Sequence, residues 1–280
     1  REASEIEARL GLASVLEDRA AARAHLERVV ELTSGEAREW DLARADALFA
    51  LAIEFHTGAQ APEMLREALA LRLRALPAAD WRVDAARATL AARDYEAGAV
   101  DDAIELLRAR LAALPTCTGD CADPSDWQRT QARADLVWAL LGAGRIEAAR
   151  EALSGRDEGD RAEVMLSAWT AHLGGDSARA RALMERLDDA SDAPRMPLPE
   201  ALLRIDHALF AAAAGDVAPS RALAAELTSD AARAPSKRRW ISLEHLPGFA
   251  ARPYVWQATR HRAELAWLRE YAPAVLSPEP

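Results

Sequence analysis

The chain has almost no lysine: of 35 basic residues only Lys237 is Lys. Aromatics are scarce at 5%, glycines number 13 in 280 residues, and there are two cysteines. Other absences remove classes. No apolar run approaches the ~20 residues that span a bilayer, and the longest candidate, Ala208 to Ala214, belongs to an amphipathic helix. Runs of alternating β-branched residues are missing as well, which counts against strands. The formal charge of −10 leaves no general basic face for phosphates, so nucleic acid is not an expected partner.

What remains is rich in alanine and apolar at 50% overall. Alanine has the highest helix propensity and lets helices approach closely. The glycines fall mostly between segments with apolar residues at helical spacing. The expectation is an all-α chain. The excess of Arg over Lys is either a coding bias or a set of guanidinium forks for carboxylates and phosphates. The sequence starts at Arg1 with no Met and no signal peptide, as a piece of something longer would, and its compartment stays open. Cytoplasmic is favoured unless an upstream membrane segment is present and the cysteines pair.

Those cysteines, Cys117 and Cys121, lie in a loop broken by Pro and Gly. They can be free thiols, a disulfide in an oxidising compartment, or part of a metal site that would need further ligands. No His lies nearby in sequence.

An internal repeat organises the middle of the chain. Glu39-Trp40, Asp80-Trp81 and Asp126-Trp127 each open an Ala-rich segment. A glycine follows 17 or 18 residues after each Trp, at Gly58, Gly98 and Gly144. After each glycine comes a second helical segment with a small residue near its start, Ala103 and Ala149 in the clearest copies. Weaker copies run from Val164 to Leu187 and from Ala201 to Leu227, and a partial one opens the chain. In the last full copy Ser220 takes the place of the packing alanine. Arg252 to Tyr271 reads as a closing helix. One short hairpin cannot bury its apolar face alone, so stacking of neighbours is expected.

Gly98-Ala-Val-Asp-Asp-Ala103 and Gly144-Arg-Ile-Glu-Ala-Ala149 resemble the tetratricopeptide repeat. With Leu65 to Arg72 before Asp80-Trp81, the longer period resembles the kinesin-light-chain-like variant. Such repeats occur in the C-terminal part of bacterial serine/threonine kinases and winged-helix regulators. The resemblance covers residues 38–154. It implies a right-handed α-solenoid of about six antiparallel helical hairpins over residues 1–233, with a C-terminal cap and tail over 234–280. It also implies a concave face lined by first helices that holds a protein or peptide partner.

Counting back from the inter-helix glycines places Leu90, Ala91, Leu136, Val137 and Leu140 in tight packing. Out of phase with them stand Phe55, Tyr95, Trp138, Trp169 and His172. These are the peptide-groove candidates, since aromatics are favoured interface anchors; the other reading has them filling an inner core. Trp40, Trp81 and Trp127 are assigned to hairpin packing. Ser236-Lys-Arg-Arg-Trp240 is the one basic cluster, a solvated turn or a contact for acidic groups.

Motifs for chemistry are missing: no phosphate-binding Gly-rich loop, no nucleophile elbow and no His-Glu-x-x-His pair. Catalytic residues, cofactors and metals are therefore not expected. The functional expectation is a non-catalytic interaction scaffold within a larger bacterial signalling protein. The alternatives are an extracytoplasmic ligand-sensing domain of a membrane-bound kinase or transcriptional regulator, and an enzyme with an unrecognised site.

Overall fold

The computed structural model describes residues 18–35, 38–56, 60–115, 124–154, 161–189, 200–233 and 258–273. All regular structure among them is helical. Packing divides the chain into two units, Arg1–Arg129 and Thr130–Pro280.

The first unit contains α1 (Arg19–Leu32), α2 (Asp41–Glu54), α3 (Gln60–Ala75), α4 (Trp81–Glu96) and α5 (Val100–Ala113). A 3-10 turn, Arg38–Trp40, leads into α2. The α2/α3 and α4/α5 pairs pack side by side, and α3 packs on α4. Small residues set the spacing: Ala52, Ala61 and Ala86 are fully buried at the contacts, and Leu65, Leu69, Val83 and Leu90 fill the space between them. Asp80 caps α4, its Oδ1 accepting from the Arg82 backbone N–H at 2.9 Å. The helix therefore starts on Trp81, and this explains the acid before that tryptophan. At the earlier copy the register differs: Trp40 itself occupies the cap position, without a side-chain cap bond.

Guanidinium groups fasten one helix to the next. Arg110 of α5 grips Asp84 of α4 through two bonds, 2.7 and 3.0 Å. Arg74 of α3 does the same to Asp41 of α2. Arg72 joins Asp46 at 2.8 Å and also donates to the Arg82 carbonyl at 2.7 Å. Arg44 reaches the Val30 carbonyl at the end of α1, and Arg87 the Ala78 carbonyl before α4, each at 2.8 Å. A planar fork with five donors suits these two-point contacts and an ammonium does not. These arginines serve carboxylates and helix-end carbonyls of the chain itself.

The helix α6 (Pro124–Gly142) begins at the end of the first unit and lies mostly in the second. The second unit continues with α7 (Ile146–Ala152), α8 (Arg161–Leu173), α9 (Ser177–Asp189), α10 (Glu200–Ala213), α11 (Ala218–Arg233) and α12 (Ala258–Tyr271). Here α8/α9 and α10/α11 pack as pairs, α9 packs on α10, and α12 closes against α10 and α11.

One turn recurs through both units. At Gly98 the backbone turns left-handed, φ 84°, where any Cβ is strained. The Gly98 N–H bonds the Tyr95 carbonyl and the Ala99 N–H reaches back to the Asp94 carbonyl at 2.8 Å. The same bond pair, the Schellman ending of a helix, is repeated at Gly144, Gly175 and Gly215. Five residues after each stands Ala103, Ala149, Ala180 or Ser220, all fully buried. The turn chemistry thus extends beyond the clear sequence repeat to residue 220. At Ser220 the hydroxyl donates to the Ala208 carbonyl and accepts from the Trp267 indole N–H, both at 2.9 Å. The exception to the alanine pattern therefore pins α12 to the last hairpin.

Candidate functional site

The predicted packing positions Leu90, Ala91, Leu136, Val137 and Leu140 are all buried. The predicted groove residues separate into two groups. Phe55, at the end of α2, is half-buried against Leu26, Val29 and Leu51, with the Arg19 guanidinium 5.1 Å from its ring centre. Tyr95, near the end of α4, is also half-buried.

Trp138 and Trp169 correct the expectation. They are 1% and 0% exposed and belong to the core of the second unit. Their rings meet at 5.8 Å, Trp169 stands edge-on to Phe210 at 5.0 Å, and His172 lies 4.9 Å from Phe210. This is an aromatic core cluster, not a ladder offered to a peptide. The physical reason is enclosure. Residues 162–171 of α8 are buried without interruption, as are residues 135–141 of α6. A helix covered on every side has no solvent face, so its out-of-phase positions are core too. Burial lowers the pKa of His172, which keeps the ring neutral there.

Trp81 is a second correction. Assigned to hairpin packing, it is 66% exposed at the start of α4, the most exposed large hydrophobic among the described residues. Trp40 is half-buried. The Trp127 side chain, Cys117 with Cys121, Gly58 and the basic cluster 236–240 lie outside what is described.

Sequence reasoning missed two features. The first is an ion cluster between α10 and α12. Arg260 donates through Nη2 to Asp206 Oδ2 and through Nε to Glu264 Oε1, each at 2.8 Å. The Trp169 indole N–H also bonds Asp206 Oδ2, at 3.1 Å, and His261 Nδ1 lies 3.2 Å from Glu264 Oε2. Both acids are 0% exposed. Burial, helped by the neighbouring Glu264, outweighs Arg260 and pushes Asp206 up to about 8. Burial also pushes Glu264 upward, but Arg260 and His261 together hold it below its ordinary value. At neutral pH the cluster is thus one guanidinium, one carboxylate and one protonated carboxyl. Asp206 holds the proton, because two buried carboxylates facing one guanidinium would leave a net negative charge in the core. No signal in the sequence links Asp206 to Arg260, 54 residues apart.

The second is a groove of about 400 Å³ in the first unit. Its walls are α3 and α5, the second helices of their hairpins, and α4 forms the floor. Leu69 and Leu90 make the apolar base, with Leu73 and Leu106 above them. Leu73 is 42% exposed on this strip. Asp94, Asp102 and Glu105 supply three carboxyls around this apolar strip, and Arg66 is the one cation lining it. Arg66 donates to Asp94 Oδ1 at 2.6 Å, and its own side chain is half exposed. Burial raises the Asp94 pKa, Arg66 opposes this, and the like charge of Asp102 adds to the rise. The groove lies on the second-helix side, whereas the sequence resemblance implied a face lined by first helices.

Among the described residues no group of three His, Cys, Asp or Glu is placed to hold a metal ion. No described helix is long and apolar enough to cross a membrane. The chain matches no protein-family model, no curated protein and no solved structure.

Proposed function

We propose that this chain is a non-catalytic protein-interaction module, a right-handed α-solenoid of tetratricopeptide type within a larger bacterial signalling or regulatory protein. The repeat type and the parent context rest on the resemblance of residues 38–154. The recurring glycine turn with a buried small residue five positions later supports a hairpin repeat up to residue 220.

The observation that carries the interaction reading is the groove between α3 and α5. It combines an exposed leucine, a leucine-lined base and a polar rim, the composition of a recognition patch rather than of a solvated helix face. Leu73→Asp tests it. Peptides selected from a random display library on the full chain should lose at least tenfold in affinity for the variant, with far-UV circular dichroism unchanged. Selected peptides that bind the variant as well as the parent would remove the groove from the mechanism.

A further inference from the structure

We infer that the groove takes a partner segment in which a basic side chain stands beside a leucine-sized apolar one. The inference rests on the groove being a docking surface and goes on to name its occupant.

Charge complementarity selects the occupant. Three carboxyls, those of Asp94, Asp102 and Glu105, face one guanidinium. Glu105 shares its charge with Arg108 at 2.6 Å, outside the lining. Asp102 is exposed in the first turn of α5. An acidic segment would add like charge to this surface, and a wholly apolar one would strip water from carboxylates without replacing the lost hydrogen bonds. A guanidinium or ammonium supplies both charge and donors.

Asp94 fixes where that cation goes. It is almost fully buried at the floor, while its partner Arg66 reaches it from solvent with more than half of its side chain exposed. A surface-anchored arginine holding a buried carboxylate is a replaceable partner. A cation of the incoming segment can take over its bond to Asp94, and Arg66 swings into water at little cost. The neighbouring apolar side chain then covers Leu73 and Leu106 above the base.

Three fluorescently labelled 12-residue peptides of alternating Leu with Arg, Gln or Glu, measured by anisotropy on the full chain, test this. The expected order is Leu-Arg tightest, at least tenfold above Leu-Gln, with Leu-Glu weakest. The Leu-Arg advantage should vanish in Asp102→Lys/Glu105→Lys, both exposed positions, and should shrink as salt rises. Equal binding of Leu-Arg and Leu-Gln, with both lost in Leu73→Ser, would overturn the basic occupant and keep the groove. A Leu-Arg advantage that survives Asp102→Lys/Glu105→Lys would place the attraction elsewhere and overturn the inference. Binding of all peptides unaffected by Leu73→Ser would overturn the groove reading beneath it.

Discussion

Tryptophan carries opposite duties at two places in this chain. Trp169 is enclosed by Trp138, His172 and Phe210, and its indole N–H is satisfied by Asp206. Trp81 projects from the first turn of α4, 66% exposed, with the Arg82 guanidinium 5.8 Å from its ring centre. Truncation should therefore separate them. Trp169→Ala is expected to cost about 3–5 kcal/mol, the range for a large aromatic removed from a core. Trp81→Ala should stay within about 0.5 kcal/mol of the parent, as surface changes do. Urea denaturation followed by circular dichroism measures both, and equal losses would mean that Trp81 is packed. Both residues sit in Ala-rich helical context, so composition alone could not distinguish them. What distinguished them was whether their helix kept a solvent face.

At the scale of elements, α12 is the piece whose attachment depends on buried polar groups. The Asp206–Arg260–Glu264 cluster holds it to α10, and Ser220 holds its Trp267. Asp206 makes this attachment sensitive to pH. Its folded pKa of about 8 exceeds the ordinary 3.8, so the folded chain retains a proton that the unfolded chain releases. Its contribution is full below pH 4, declines as pH rises, and is lost by about pH 8. Stability therefore falls with rising pH across that window. Glu264, held below its ordinary 4.5, acts in the opposite sense: its contribution is present above that value and lost as pH falls through its folded pKa. Asp206→Asn fixes the neutral form. Urea midpoints at pH 5 and pH 8 should show a flatter pH dependence in the variant and no loss at pH 8. Arg260→Leu, which leaves Glu264 buried without its cation, should lose about 3–5 kcal/mol. If Asp206→Asn loses as much as Arg260→Leu at pH 8, Asp206 is a charged partner of Arg260 in the folded chain.

For the whole molecule, the −10 charge and the near-total use of arginine have one common consequence. Many guanidinium groups are occupied with internal carboxylates and carbonyls, Arg110 with Asp84 and Arg133 with Glu163 among them. Those paired groups are not offered as a basic surface. At physiological salt the chain should not retard duplex DNA in a gel shift, and retardation that falls with salt would contradict this.

The chain sequence by itself determined the helical state, the positions of the hairpin turns and the close approach of paired helices. These are local matters: alanine favours helix, a glycine accepts a positive φ, and a small side chain five residues later fits against the preceding helix. Phase counting from those turns also found the packed leucines of α4 and α6. Only the tertiary structure decided which aromatic residues see solvent. Phase gives a direction around one helix, but burial depends on how many neighbours surround it, and α8 is covered throughout residues 162–171. The groove and the buried acids were hidden for the same reason. Leu73 and Leu106, or Asp206 and Arg260, are distant in the chain and become neighbours only when helices stack, so no local pattern records them.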